Sequence, residues 1–339
     1  MDPRLVEMLE CPACHGALAW NVTERRDSRI EEAEIHCDTC AAVYLVREGI
    51  GIFLTSDLPR HDLWKPLHDE LIQHLREHPE VERQLMNAPL AALNPADQMY
   101  RALVSEERGD CAQAKIARDL ANSRMYTPEY TRCWESQVNY VIEHVSGLDG
   151  PIVDLASGEC RLVEMLARKL KRPIVATDFS PRVLRRDRKW LEFLRLYDQV
   201  SLLAFDARRT PFKDGAVQTL TTNLGLPNIE DPANLAQELR RIVNGTFWAI
   251  TLFYPEDDQV NSAAISRAKL SMFLFRRSTL ERLTSVGWKV QAVNSCKAKT
   301  RPTPRSNVLE GAAVDALPVA ETTVEWCVLK AHSNTQNCL

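Results

Sequence analysis

The stretch from Pro151 to Leu166, PIVDLASGECRLVEML, decides how this chain is read. Pro151-Ile152-Val153 is the short apolar run of a buried parallel strand, and Asp154 closes it. Ala156, Ser157 and Gly158 make a small-residue turn, after which Arg161 to Leu170 carries apolar residues at helical spacing. Strand, tight turn and helix in this order bring backbone N–H groups close to a bound cofactor. The acid at the strand end adds a fixed negative charge beside that turn.

Downstream, strands and helices alternate, which predicts a doubly wound α/β sheet. Pro173 to Thr177 reads as the second strand, ended by Asp178, which lies 20 residues past Gly158, the distance at which an acid can take ribose hydroxyls. Ser201 to Phe205 reads as the third, ended by Asp206-Ala207, and Ala216 to Thr222 as the fourth, leading into Asn223. Phe247 to Phe253 follows as the fifth. A helix over Ser278 to Val286 and strands over Trp288 to Asn294 and Thr322 to Ala331 complete the pattern. Thr300 to Pro318, with three prolines, is the long loop between that last pair.

Three acid-ended strands in this order resemble the class I S-adenosylmethionine (SAM)-dependent methyltransferases. The first motif of that family is an acid, a Gly-rich loop and a helix; here Ala156 and Cys160 stand at two of the three usual glycine positions and Gly158 keeps the third. Asp178-Phe179-Ser180-Pro181 matches the D-x-S-P turn, Asp206-Ala207 the third signature, and Asn244-Gly245 replaces the usual Pro-Gly-Gly turn. The resemblance implies a Rossmann-like sheet closed by an antiparallel strand and SAM as cofactor. It places Asp154 near the cationic methionine end, with Ala156 and Gly158 in the loop. Asp178 would hold the ribose, and Asp206 and Ala207 the adenine, with Asn223 beside them. Methyl transfer from SAM needs alignment more than covalent help. No acceptor base is assigned; Tyr126, Tyr130, Asn223, Asn228 and Tyr254 are plausible by position. Tyr126, Tyr130 and Trp134 are candidate lid residues, the 300–318 loop would rim the acceptor site, and Cys160 reads as a small packed thiol.

The front of the chain carries a second signal. Cys11-Pro12-Ala13-Cys14 and Cys37-Asp38-Thr39-Cys40 are separated by 22 residues. Two such turns direct four thiolates at one point, a set suited to a structural zinc ion closed to water. The order CPxC, polar hairpin, CxxC, YLVREGI resembles the small zinc-ribbon activator proteins of RNA and protein methyltransferases, over about residues 5 to 55. That resemblance implies a brace for the catalytic part, and a surface for a protein partner. His15 and His36 adjoin a set already complete and read as surface residues. The expected division is a ribbon over 1–55, a helical linker or lid over 56–148, the methyltransferase over 149–332 and a loose tail over 333–339. In the helical part Trp64, Leu67, Leu71 and Leu75 recur at helical spacing, and His61, His68, His74 and His78 read as a solvated face.

Composition bounds the function. No apolar run reaches the ~18 residues of a membrane span, and the start lacks a basic, apolar signal. Paired and scattered cysteines fit a reduced, cytoplasmic setting. The net charge of −4 divides into −11 before Pro151 and +7 from it onward. The ribbon is acidic and unsuited to phosphate, whereas RVLRRDRK (182–189) and 169–172 are the basic stretches an RNA substrate would use. A small-molecule acceptor ranks slightly ahead of RNA. The rival readings are a non-catalytic scaffold and a nicotinamide oxidoreductase, the latter lacking GxGxxG spacing at the first turn.

Overall fold

A computed structural model describes residues 1–58 and 64–333, with side chains from Leu71 onward in the first helix and as far as His332 at the end. Its elements in chain order begin with β1 (Leu18–Arg26), β2 (Arg29–Cys37), β3 (Val43–Arg47) and β4 (Ile50–Ile52). Five helices follow: α1 (Trp64–Glu77), α2 (Pro79–Asn87), α3 (Pro95–Glu107), α4 (Cys111–Met125) and α5 (Pro128–Val145). The alternating part comprises β5 (Ile152–Asp154), α6 (Arg161–Lys169), β6 (Ile174–Asp178), α7 (Pro181–Phe193), β7 (Val200–Ala204), β8 (Val217–Asn223), α8 (Pro232–Ile242) and β9 (Val243–Phe253). The chain closes with α9 (Gln259–Arg267), α10 (Ser271–Leu274), α11 (Arg276–Ser285), β10 (Trp288–Thr300) and β11 (Thr322–Ser333).

Among the described residues the strands join one 11-stranded sheet in the order β1-β2-β3-β4-β7-β6-β5-β8-β9-β11-β10. The strands β7, β6, β5, β8 and β9 are parallel, with β5 at the centre, and β11 closes the sheet antiparallel to β9. Their apolar runs are buried on both faces, as parallel strands covered by helices require. The order reverses beside β5, and at such a switch point the loops after the strands leave a crevice.

The ribbon does not hang beside this sheet; it continues it. Its last strand, β4, pairs in parallel with β7, Ile50 to Ile52 facing Leu202 to Ala204. Phe53 N–H donates to the Ala204 carbonyl at 2.7 Å, Glu10 N–H to that of Pro211 at 2.7 Å, and Lys213 N–H to that of Met8 at 2.9 Å. Arg29 and Arg188 both stack on the Tyr197 ring at this seam, at 4.7 and 4.9 Å, and Arg188 also bonds Glu31 at 2.8 Å. Nothing in the apolar run Gly49 to Leu54 names this partner. A free parallel edge is an open row of donors and acceptors, and β4 satisfies it.

Leu71 and Leu75 pack with Leu85, Leu93, Tyr100 and Leu309, as the helical spacing of that segment predicts. The His74 and His78 rings lie 4.5 Å apart at a tilt of 41° on the outer face and join no metal-binding group among the described residues. His61, His68 and the side chains of Trp64 and Leu67 lie outside the described residues, as does the expected tail from residue 334.

Candidate functional site

At the switch point a cavity of about 290 Å³ opens between the first turn, the ends of β6, β7 and β8, and the segment after β8. Ala156, Gly158, Asp178, Asp206, Ala207 and Asn223 all line it. Six of the seven residues expected from sequence thus meet in one place. Asp154 does not line the cavity. It lies fully enclosed behind the turn, where its carboxylate accepts from Thr221 Oγ1 at 2.6 Å. Burial pushes its carboxyl up to about 7 in spite of that hydrogen bond.

The turn keeps a glycine-like backbone without the glycines. Ala156, Gly158 and Cys160 have φ of 51°, 54° and 54°, in the left-handed region. For Ala156 and Cys160 that conformation costs on the order of 1–2 kcal/mol each. Cys160 offsets part of this through its fully buried thiol, which burial holds well above the usual range. The packed-thiol reading of this residue holds. Gly225, across the cavity, has no such latitude: a Cβ there would meet Thr222 Oγ1 at 2.5 Å, Ala156 Cβ at 2.9 Å and the Leu155 carbonyl at 3.1 Å. Only glycine lets the segment after β8 approach the turn this closely.

The acids of the cavity are positioned by their own neighbours. Asp178 Oδ1 accepts from Ser180 N–H at 2.9 Å, which fixes its carboxylate at the start of α7. Asp206 Oδ1 accepts from the Arg208 backbone and Nε at 2.9 Å each, and Oδ2 from Nη2 at 2.7 Å. A carboxylate has about four lone-pair sites, so one on Oδ2 stays open to a further donor. Trp134 Nε1 donates to Asn223 Oδ1 at 3.1 Å, which brings the expected lid helix α5 to the rim. Glu159 and Arg161, unremarked in the sequence, also line the cavity. The guanidinium of Arg161 lies 4.4 Å from the Trp134 ring centre.

The ribbon brings the four predicted cysteines together, with ligand atoms all within 4.8 Å of one another. Cys11 and Cys40 sulfurs are 3.7 Å apart, and those of Cys14 and Cys37 are 3.4 Å apart. Zn–S bonds of ~2.3 Å in a tetrahedron put the sulfurs ~3.8 Å apart, so the donor set fits that ion. His15 and His36 pair instead with Glu10 and Glu34, both at 2.6 Å.

A family described as "Methyltransferase domain" matches residues 152–245, and one described as "Trm112p-like protein" matches residues 2–49. A demethylmenaquinone methyltransferase of Lactiplantibacillus plantarum is 27% identical over 130 residues, 38% of this chain and 54% of that protein. The chain thus spans about half the length of that relative. A UPF0434 protein of Erwinia tasmaniensis is 37% identical over 54 residues, 16% of this chain and 77% of that protein. Among solved structures, geranyl diphosphate C-methyltransferase of Streptomyces coelicolor, in complex with S-adenosyl-L-homocysteine, is 18% identical. It covers 59% of this chain and 78% of its own, with a TM-score of 0.43. The YcgJ protein of Bacillus subtilis is 12% identical over 58% of this chain and 97% of its own, with a TM-score of 0.46.

The chain carries a methyltransferase domain and, fused ahead of it, a Trm112p-like zinc ribbon that relates it to the UPF0434 proteins. No helix among the described residues is long and apolar enough to cross a membrane.

Proposed function

We propose that the switch-point cavity binds SAM and that the protein transfers its methyl group to a small molecule, with the ribbon as a built-in brace. Bound SAM supplies an activated methyl on a sulfonium. Asp178 accepts hydrogen bonds from the ribose hydroxyls, and the open lone pair of Asp206 accepts from the adenine amino group while Ala207 N–H donates to the ring. Ala156 and Gly158 let the turn approach the donor, Asn223 closes the other wall, and the buried charge of Asp154 draws the cationic methionine end. The convergence of Ala156, Gly158, Asp178, Asp206, Ala207 and Asn223 on one cavity carries this reading.

A small acceptor is favoured over RNA because the arginines that would hold phosphate are engaged within the fold. Arg182 pairs with Glu107 and Arg185 with Glu48, both at 3.4 Å. Arg186 pairs with Asp187, and Arg188 with Glu31 and Glu192. Arg172 donates to the carbonyls of Val145, Asp149 and Gly150. At Arg182, Arg185, Arg186 and Arg188 an RNA would have to displace these acids before reaching the cations.

Calorimetry with SAM, S-adenosylhomocysteine and NAD tests the cofactor. Heat with both sulfur ligands and none with NAD is expected; no heat with either refutes the assignment. A labelled-methyl assay on lysate split into RNA, protein and metabolite fractions tests the acceptor class. Label in the metabolite fraction is expected, and label confined to RNA overturns the small-molecule reading.

A further inference from the structure

This inference rests on the methyl-transfer reading and names the acceptor. A second cavity, of about 210 Å³, shares Glu159 and Arg161 with the first, so the two meet where the turn enters α6. Its wall is mostly apolar, with Leu71, Met99, Leu103 and Val314, and Tyr126 adds a ring stacked on Tyr130 at 4.9 Å. Val314 and Asp315 come from the long loop between β10 and β11 that the sequence placed at the acceptor rim.

The charges on this wall are unequally satisfied. Arg182 pairs with Glu107, and Arg186 with Glu106 and Asp187. Arg161 rests on the Trp134 ring. Burial alone would raise the Glu159 carboxyl, but Arg118, Arg186 and Arg161 hold it below its ordinary range, so its charge is already compensated. Asp315 differs. Its carboxylate accepts from the Tyr126 hydroxyl at 3.0 Å and makes no ion pair among the described residues. Burial raises its carboxyl above the ordinary range against that hydrogen bond, and the neighbouring Glu159 charge adds to the rise. A carboxylate without a cation, set among apolar and aromatic groups, leaves a negative potential that a cationic ligand relieves.

We propose that this second cavity is the acceptor site and that it takes a compact amine with an apolar body, its nitrogen seated on Asp315. The ammonium gives one proton to the Asp315 carboxylate. The freed lone pair on nitrogen forms the bond to the methyl carbon as the methyl–sulfur bond breaks, and that bond's electron pair stays on sulfur. S-adenosylhomocysteine and the methylated ammonium are left, and Asp315 returns its proton to water.

The test uses the full-length protein loaded with S-adenosylhomocysteine and three probes on one ring: tyramine, p-cresol and 4-hydroxyphenylacetate, which are cationic, neutral and anionic. Calorimetry should find tyramine at least about tenfold tighter than the other two. Asp315→Asn should remove that preference while leaving S-adenosylhomocysteine affinity unchanged. Met99→Trp, which fills the cavity and keeps the acid, should abolish tyramine binding. Tyramine no tighter than p-cresol, or a preference that survives Asp315→Asn, overturns the proposal. Failure of the wild-type protein to bind S-adenosylhomocysteine at all instead overturns the cofactor reading on which it rests.

Discussion

Replacing Asp154 by Asn separates what the buried acid costs from what it does. The side chain is enclosed at the centre of the sheet, and burial lifts its carboxyl from 3.8 to about 7. A group whose folded value lies above its unfolded one adds stability that is whole below the unfolded value and is lost as pH rises through the folded one. For Asp154 the loss therefore falls between about pH 4 and pH 7. At about 1.4 kcal/mol per unit, the wild-type fold should lose on the order of 3 kcal/mol between pH 5 and pH 8 through this one group. Asparagine does not titrate, and its amide oxygen can still accept from Thr221 Oγ1, now at 2.6 Å from the carboxylate. Thermal unfolding of both proteins across that range should show the variant gaining about 6 °C on the wild type, at about 2 °C per kcal/mol. SAM affinity should fall in the same variant, because the charge that destabilises the empty fold is the one that draws the methionine end. Parallel pH profiles for the two proteins would refute the buried-charge argument.

Other expectations follow from the same geometry. Asp178→Ala should weaken SAM binding by about 10–100-fold, the value of one or two charge-assisted hydrogen bonds, with zinc content unchanged; unaltered affinity in calorimetry would show the ribose contact to be misassigned. Cys37→Ser should release zinc and lower the melting temperature of the whole chain, since β4 is a strand of the common sheet; a variant that loses zinc yet melts as before would count against the brace. Gly225→Val should displace the first turn and abolish SAM binding, because its Cβ would lie 3.1 Å from the Leu155 carbonyl, which cannot move freely. Ala156→Gly should raise stability by about 0.5–1 kcal/mol, the left-handed strain relieved less the added chain entropy, measured by denaturant midpoint.

Much of this was legible in the chain because the signals were local. An apolar run closed by an acid marks a parallel strand and the crevice at its end, and three of them in order placed Asp178 and Asp206 on one cavity. The cysteine spacing sufficed for the metal site for the same reason. What the sequence did not show was long-range. Nothing in Gly49 to Leu54 names β7 as its partner, since parallel pairing depends on a register between segments about 150 residues apart. The engagement of the RVLRRDRK arginines was equally hidden, because Glu31, Glu48 and Glu107 come from distant segments. Asp315 carried no motif; only the fold brings it beside Tyr126. The replacement of two loop glycines also gave no hint that Ala156 and Cys160 would keep the glycine conformation.

The parallel seam between β4 and β7 also sets an order of assembly. In a chain made from its N-terminus, the ribbon, with all four of its cysteines, emerges well before the segment it must pair with. Its Ile50–Ile52 edge therefore waits as a finished template while the rest of the sheet is still being made, and closing that seam is a slow, non-local event. A thiolate cluster that folds early and holds this edge in shape would shorten the time the nascent sheet stands open to misjoining.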